Sequence, residues 1–302
     1  MKISSLLLFV LSFGSITAPL SNLSAQETKK LIVCSTTQTA DFARNIVGDD
    51  MVVKSILPEG ADPHTYEVRP GDARLVASAD LCIENGWHLE GKDWMKQLCL
   101  DSGKKCVTAV TGIEPLKLVE EGTTVYDPHA WFTPKNGATY VRNITNAIVD
   151  IDPANQEKYE SRARLYLIQL RDLDTWIRQE VNNIPANKRI LITNHDAFGY
   201  FCQEYGFQSA SPVGWSTGDE IGAGMSNAKR KEVIDSIKAY NVKAIFMETS
   251  VNPKTMQELA TEAGVKVGGS LYSDSMGAPG SAGESYIGMM RENVIKIVTS
   301  LK

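Results

Sequence analysis

Short apolar runs alternate with amphipathic stretches from residue 30 to about residue 150. The runs have the length of buried strands, whereas the intervening stretches carry apolar residues at helical spacing. The predicted strands are Leu31–Cys34, Met51–Leu57, Leu81–Glu84 and Cys106–Val110, and the predicted helices are Asp41–Val47, Asp72–Ala79 and Gly91–Leu100. Strands separated by helices are typical of parallel sheets with helical crossovers, so this half of the chain is expected to form an α/β lobe.

The segment from Pro153 to Val181 has a different pattern. Apolar side chains recur there at roughly helical spacing without an internal glycine or proline, and Pro185 follows shortly afterwards. This pattern predicts one long helix, which at about 1.5 Å per residue would span roughly 40 Å. Because α/β patterns lie on both sides of it, we interpret this helix as a rigid strut between two lobes.

After Pro185 the alternation of strands and helices resumes. Strands are predicted near Ile190, Phe207, Ala244 and Val265, and helices over Ala197–Tyr205, Asn227–Tyr240, Lys254–Ala263 and Gly283–Ser300. The predicted fold class is therefore α/β, with two (βα)-type lobes containing parallel sheets and joined by one long bridging helix. We divide the chain into an N-terminal lobe (26–152), a linking helix (153–184) and a C-terminal lobe (185–302).

Residues 1–25 have the pattern of a secretory signal peptide. Lys2 precedes the apolar run Leu6–Phe13, and small residues near Ala25 provide a cleavage point. We therefore expect a periplasmic protein. No cysteine occurs at this point, so a freely diffusing form is expected rather than a lipid-anchored one. No later apolar run is long enough to cross a bilayer.

The composition limits the partners and the number of cores. The formal net charge is −5, which argues against a nucleic-acid partner because phosphate backbones attract basic surfaces. A chain of 302 residues with 43% hydrophobic residues can bury one large core or two modest ones, and two lobes fit the element pattern better. A monomer is expected.

The five cysteines are odd in number, so at least one stays unpaired within a monomer. They are Cys34, Cys82, Cys99, Cys106 and Cys202. Cys99 and Cys106 flank a turn and are the best candidates for a disulfide, although spacing and compartment alone leave that pairing open. The absence of a C-x-x-C pair argues against a thiolate metal site.

The tripeptide Asp-Pro-His occurs twice, ending at His64 and at His129, and the whole chain contains only four histidines. Proline fixes its own φ and favours an extended conformation in the residue before it, so both histidines are expected to lie on stiff turns. Rigid presentation suits a metal ligand because less entropy is lost when the ligand is ordered. The repeat therefore predicts a metal site.

Two further side chains follow predicted strands in the second half of the chain. His195 comes after the apolar run Ile190–Ile192, and Asp274 follows the stretch Val265–Leu271. Ligands of α/β sheets gather at the carboxyl ends of strands. Three imidazoles and one carboxylate can saturate a first-row divalent ion, and the wide spacing of the four residues requires tertiary structure to assemble them in the interlobe cleft.

Three other polar residues are predicted to lie outside the metal shell. Glu248 ends a predicted strand and Asp196 follows His195 directly, so each is expected either to hydrogen-bond an imidazole N–H from outside the metal shell or to support the backbone of the cleft. His88 lacks the setting of the other histidines and is expected to be exposed or to lie outside the shell.

Several motifs resemble those of the TroA-like metal-binding solute-binding proteins of ABC importers, which carry zinc, manganese or iron. The resembling segments are Leu57–Glu67, Glu84–Gly86, Leu89–Glu90, Asp127–Trp131, Asn194–Phe201, Glu248–Pro253 and Leu271–Ser275. The resemblance covers nearly the whole chain after the leader. It implies two α/β lobes bridged by a long helix, with His64, His129, His195 and Asp274 at the four ligand positions.

The resemblance leaves the identity of the ion open. Some family members have a carboxylate where this chain has His195, a feature associated with manganese, so the imidazole shifts the expectation toward zinc. Dedicated zinc members often carry a histidine-rich loop before the second ligand, but residues 111–126 contain no histidine. Zinc and manganese both remain candidates, iron is a third, and no organic cofactor is expected.

The candidate ligands and the resemblance together imply that the protein captures the ion in the periplasm. It would then deliver the ion to a membrane permease driven by a cytoplasmic ATPase. The alternative is a secreted zinc-dependent hydrolase, which needs an open coordination position and a general base. The chain contains no H-E-x-x-H motif. We therefore expect a protein that is not an enzyme, and no catalytic residue is assigned.

Overall fold

The computed structural model describes residues 28–120, 123–211 and 227–302. The predicted signal peptide and its cleavage point near Ala25 lie outside these described residues. In the part of the chain that is described, no helix combines the length and the apolar character needed to cross a membrane.

A four-stranded parallel sheet forms the centre of the N-terminal lobe, with strand order β2-β1-β3-β4. Its elements, in chain order, are β1 (Leu31–Cys34), α1 (Thr37–Val47), β2 (Val52–Ser55), α2 (Pro70–Ala77), β3 (Leu81–Glu84), α3 (Trp94–Asp101) and β4 (Cys106–Thr108). The central strand β3 is buried along its whole length, as expected for an apolar strand covered on both faces. All four predicted strands and all three predicted helices of this lobe are confirmed, with ends that differ by a few residues.

Three elements of this half were not predicted from the pattern. An antiparallel hairpin consists of β5 (Lys117–Glu120) and β6 (Thr123–Tyr126), and helix α4 spans Pro134–Ile151. Thr133 caps α4 by accepting a hydrogen bond from the Asn136 N–H, and Pro134 occupies the first turn, where its missing donor costs nothing. Helix α4 packs against α1 and against the helix that follows it.

The predicted bridging helix is confirmed as α5 (Gln156–Val181), preceded by a short 3₁₀ turn at Pro153–Asn155. Its 26 residues span about 39 Å at the usual helical rise. The helix contacts α1 and α4 on one side of the molecule and the C-terminal helix on the other. Arg162 ties it to the N-terminal lobe by donating to the Val47 carbonyl and to Asp50, each at 2.6 Å.

The C-terminal lobe repeats the alternation of strands and helices. Its elements are β7 (Ile190–Ile192), α6 (Gly199–Tyr205), β8 (Gln208–Ala210), α7 (Asn227–Ala239), β9 (Ala244–Glu248), α8 (Lys254–Ala263), β10 (Lys266–Leu271) and α9 (Tyr286–Leu301). Strands β7 and β8 pair in parallel, and so do β9 and β10. The predicted parallel α/β architecture of the second half is therefore confirmed.

One hydrophobic core runs through both lobes. Phe42 of α1 lies 5.6 Å from the ring of Tyr140 and 4.7 Å from the ring of Tyr286, measured between centroids. The Tyr286 hydroxyl donates to the Trp131 carbonyl at 2.6 Å, and the Tyr286 N–H donates to Asp41 at 3.0 Å. Because helix α9 of the second lobe is anchored in the first, the base of the cleft between the lobes is a packed interior.

Candidate metal centre

The loop after β2 holds His64 from two directions. Asp62 accepts a hydrogen bond from the His64 N–H at 2.9 Å, which closes the turn around Pro63. The indole of Trp94 donates to the Pro63 carbonyl at 3.1 Å. A β-carbon on Gly91 would lie only 2.1 Å from the His64 carbonyl oxygen, so this close approach requires glycine.

The second Asp-Pro-His turn follows β6 and has the same backbone arrangement. Asp127 accepts from the His129 N–H at 2.9 Å, and the same carboxylate oxygen lies 2.7 Å from Nδ1 of the imidazole. The Asn85 side-chain amide donates to the Pro128 carbonyl at 3.0 Å, and the Tyr200 hydroxyl donates to the Asp127 carbonyl at 3.0 Å. These contacts turn Nε2 of His129 toward the cleft.

His195 lies just beyond β7 and is held by a strand end that is distant in sequence. Glu248, the last residue of β9, accepts from the His195 N–H at 2.9 Å, and its other carboxylate oxygen lies 2.6 Å from Nδ1. The Glu248 N–H donates in turn to the Asn194 side chain at 2.8 Å. This contact places Glu248 beside His195, where the sequence pattern put it.

Asp274 follows β10 in a segment that is tied to the first lobe. The Gln38 amide donates to the Ser273 carbonyl at 3.1 Å, and the Met276 N–H donates to the Thr37 hydroxyl at 2.9 Å. Both partners belong to the first turn of α1. The Asp274 carboxylate is thereby positioned by contacts that cross the cleft.

The structure brings the four predicted ligands together. One nitrogen or oxygen from each of His64, His129, His195 and Asp274 lies within 4.8 Å of all the others, and all four side chains are buried. Nε2 of His64 is 3.3 Å from Nε2 of His129. The Asp274 oxygens lie 3.3 Å from Nε2 of His129 and 3.2 Å from Nε2 of His195.

The direction of these atoms points to a shared cation. Neither Asp274 oxygen has an aligned hydrogen bond, although both are fully buried. Buried carboxylate oxygens are normally satisfied, and nitrogen and oxygen atoms that converge on one small volume are arranged as metal ligands are. Three imidazole nitrogens and a carboxylate form a donor set that suits zinc and also manganese.

The histidines of the centre differ in protonation. Burial lowers the pKa of His64 to about 3. Burial also opposes the charge on His129, but the carboxylates of Asp127 and Asp274 outweigh it and raise the pKa of His129 to about 9. The pKa of His195 is raised well above its usual value, because Glu248 and Asp274 outweigh the effect of burial.

The pKa of Asp274 is shifted in the opposite direction to those of His129 and His195. Burial alone would raise the pKa of its carboxyl, but the charge of His195 and the contact with His129 hold that pKa well below its usual range. The four side chains therefore form a charged cluster without a cation: an ionised carboxylate beside two protonated imidazoles and one neutral imidazole. A divalent cation would replace the protons on those imidazoles.

Two other sequence predictions have different outcomes. Asp196 is half-buried and lines a cavity together with Gln208 and Ser209, and none of the four central residues lines that cavity. His88 is exposed, as expected, and its Nδ1 lies 3.1 Å from Asp93.

Two contributors were not predicted from the sequence. Asp127 serves as the carboxylate partner of His129, a role that the repeated tripeptide could have suggested. Glu90 is fully buried, and it accepts from the Ser35 hydroxyl and the Asn85 N–H, both at 2.6 Å. Burial raises the pKa of Glu90 to about 7. Since Asn85 donates to Pro128 and Gly91 follows Glu90, this carboxyl supports both turns.

Comparison with known proteins places this geometry in context. A family model described as the periplasmic component A of a zinc-uptake complex matches residues 32–300. The manganese-binding lipoprotein MntA of Bacillus subtilis is 36% identical over 279 residues, covering 90% of this chain and 89% of the relative. The manganese ABC transporter substrate-binding lipoprotein PsaA of Streptococcus pneumoniae is 33% identical, with 99% of each chain covered.

A solved structure has the same fold. The periplasmic zinc-binding protein TroA from Treponema pallidum superposes with a TM-score of 0.84 at 31% identity, covering 90% of this chain and 99% of that one. The two sequence relatives are named lipoproteins, which conflicts with the expected absence of a lipid anchor. The first cysteine of the present sequence is Cys34, fully buried in β1.

Proposed function

Because the chain belongs to the family described as the periplasmic component A of zinc-uptake complexes, we propose that it is the substrate-binding protein of an ABC importer for a divalent transition-metal ion. The observation that carries this proposal is the convergence of three imidazoles and one carboxylate, all buried, at one point between the lobes. The ion is the cargo of the protein.

We assign His64, His129, His195 and Asp274 as the ligands of the cargo ion. Asp127 and Glu248 act from outside the shell, where each holds Nδ1 of one imidazole and leaves Nε2 for the metal. Asp196 is kept as a proposed contributor from outside the shell, on its position next to His195. Zinc and manganese are the main candidates for the cargo, since relatives are named for each, and iron is a third.

The protein is proposed to bind its ion without catalysing a reaction. A catalytic zinc keeps one position for water and needs a nearby base. Four protein donors supply the ligands that a first-row divalent ion needs, and both outer carboxylates already lie against imidazoles. This arrangement favours capture and transfer over the alternative of a secreted hydrolase.

Delivery is proposed to take place outside the cytoplasm, to a permease driven by a cytoplasmic ATPase, with the protein acting as a monomer. We place the lobes at residues 26–152 and 185–302, with 153–184 as the linking segment and residues 1–25 as the leader. Release requires only a small shift, because a shell shared by two lobes opens when either lobe moves. The Asp274 segment, tied to α1 across the cleft, is the natural point for that shift.

The proposal is tested by elemental analysis of protein purified from the extracytoplasmic fraction of cells supplied with both zinc and manganese. About one equivalent of metal per chain is expected, and it should disappear in Asp274→Asn. Asp93→Asn, which removes an exposed carboxylate, is the matched control and should retain the metal. Recovery without metal, together with hydrolytic activity, would overturn the proposal.

The identity of the metal recovered from cells decides the physiological cargo. Affinity measured in solution cannot decide it, because zinc generally binds more tightly than manganese to a given site. We therefore expect tighter binding of zinc in a competition titration whichever metal the cells load.

A further inference from the structure

Three of the five thiols lie together on one face of the N-terminal sheet, away from the metal centre. Cys82 in β3 and Cys106 in β4 are register partners on adjacent parallel strands. Cys99 lies in α3, in the same hydrophobic cluster as Cys82, and Cys106 packs against that cluster. We call these three residues the thiol cluster.

Cys99 is the central member of the thiol cluster. Both neighbouring thiols, Cys106 and Cys82, act on the pKa of Cys99, as expected for side chains that lie close together. The turn after α3 brings the chain back sharply, because the Lys104 N–H donates to the Cys99 carbonyl at 2.8 Å and Gly103 takes a positive φ of 63°. Cys106 therefore lies beside Cys99, the thiol that precedes the turn.

The members of the cluster differ in access to solvent. Cys82 and Cys99 are buried, whereas Cys106 is only partly buried. The contact with Cys99, followed by burial, raises the pKa of Cys82, and the contact with Cys106 is the main cause that raises the pKa of Cys99 to about 12. Neutral thiols of this kind are poor metal ligands, since a metal requires thiolates. Thiol–disulfide exchange also proceeds through the thiolate, so it is expected to begin at Cys106, the only member of the cluster with access to solvent.

We propose that the thiol cluster is a redox modification site at which Cys106 reacts first with a small disulfide and Cys99 then closes an intramolecular disulfide with it. Cys82 stays reduced, because it is fully buried and because Cys106, its register partner on the adjacent strand, is engaged by Cys99. All five cysteines are free thiols in the present structure, so it represents the reduced form.

The reaction is a pair of thiol–disulfide exchanges. The Cys106 thiolate attacks one sulfur of oxidised glutathione, the S–S bond of glutathione breaks, and one glutathione thiolate leaves. The Cys99 thiolate then attacks the Cys106 sulfur and displaces the second glutathione. In the net reaction two cysteine thiols are oxidised, one molecule of glutathione disulfide is reduced, and the two protons pass to the two glutathione thiolates.

The test is to incubate the full protein with oxidised glutathione, block free thiols under denaturing conditions and map the peptides by mass spectrometry without reduction. Trypsin cuts after Lys104 and Lys105, between the two cysteines. The expected product is therefore peptide 97–104 joined to peptide 106–117, with a total mass lower by two hydrogen atoms. Cys82, in peptide 75–92, should carry the blocking group.

Variants separate the two steps. Cys99→Ser should stop the reaction at the Cys106–glutathione adduct, and Cys106→Ser should remain unmodified in the folded protein. Cys202→Ser, which removes a buried thiol of the other lobe, is the control and should give the wild-type product. The circular dichroism spectrum of each variant verifies that it is folded.

Three results would overturn the proposal, and all of them are visible in the wild-type protein without any variant. They are a stable glutathione adduct on Cys106, a disulfide that contains Cys82, and the absence of any reaction with oxidised glutathione. Recovery of the joined peptides supports the proposal whether or not the protein transports a metal.

Discussion

The two Asp-Pro-His turns have the same sequence and the same backbone hydrogen bond but opposite protonation. In each turn the aspartate accepts from the N–H of the histidine two residues later, at 2.9 Å. Burial lowers the pKa of His64 to about 3, whereas the carboxylates near His129 raise its pKa to about 9. The tripeptide determines the turn, and the surroundings of the ring determine its charge.

The difference arises from two carboxylates that contact the His129 ring. The Asp127 carboxylate also reaches Nδ1 of its own histidine at 2.7 Å, and Asp274 faces the other side of that ring. His64 is positioned through its backbone instead, by Trp94 on the Pro63 carbonyl and by the close approach of Gly91. In the absence of metal, the second turn therefore presents a protonated imidazole at His129, whereas the first turn presents a neutral imidazole at His64.

Removal of either imidazole should have the largest effect. Loss of a partner outside a metal shell typically costs about 10- to 100-fold in affinity, so His64→Ala and His129→Ala should each weaken zinc binding by more than about 100-fold. His129→Ala should be the worse of the two, because it removes the imidazole beside Asp127 and one of the two imidazoles beside Asp274. Calorimetric titration against a competing chelator measures both. His88→Ala, at an exposed site, serves as the control, and unchanged affinity in His64→Ala would contradict the ligand assignment.

Asp127→Asn separates the two roles of that side chain. Asparagine can still accept from the His129 N–H, but it removes the negative charge at Nδ1, so the pKa of His129 should fall and zinc affinity should drop by about 10- to 100-fold. The matched control is Asp93→Asn, which removes the carboxylate beside the exposed His88. If both variants bound zinc like the wild type, the carboxylate contact would have no part in binding.

Metal affinity should decrease as the pH falls below about 9. The folded-state pKa of His129 is raised, so its proton stabilises the metal-free protein below the unfolded pKa, and this contribution is lost as the pH rises through about 9. Zinc must displace that proton, which reduces affinity about tenfold for each pH unit below 9. His195 adds a second proton of the same kind. Titrations in buffers of different ionisation enthalpy count the protons released, and a count of zero would refute this account.

Gly91→Ala should have the smallest effect and should act on only one of the turns. A β-carbon at this position would lie 2.1 Å from the His64 carbonyl, so the first turn must shift while the His129 turn stays in place. A displaced ligand still binds, and we expect a loss of roughly tenfold or less in zinc affinity, with unchanged proton release. Gly71→Ala is the control, since its β-carbon would meet only the end of Arg74 at 4.0 Å. Equal affinities in the two variants would show that Gly91 does not position His64.

Much of the fold could be predicted because the relevant signals are local. The buried strand β3 and the long helix α5 follow directly from apolar runs and helical spacing. Helix α4 was missed because it contains Gly137 and several asparagines and threonines, which are weak helix formers. Burial of Tyr140 and Ile144 against α1 and α5 stabilises it, and that contribution is absent from any local window.

Some residues of the candidate site could likewise be predicted from local sequence, and others could not. The repeated tripeptide marks His64 and His129 without knowledge of the fold. Glu90 has no comparable signal, because its significance depends on burial and on donors from Ser35 and Asn85. The sequence placed Glu248 and His195 at strand ends, but it did not show that these two side chains would meet.

The sequence by itself determined most of the strands and helices, the bridging helix and the stiffness of the two turns, because these depend on periodicity and on the φ restriction of proline. Only the tertiary structure decided which carboxylate contacts which imidazole, which histidine carries a proton and how the lobes share one core. The physical reason is that desolvation and Coulomb energy depend on distances between residues far apart in the chain, and packing alone determines those distances.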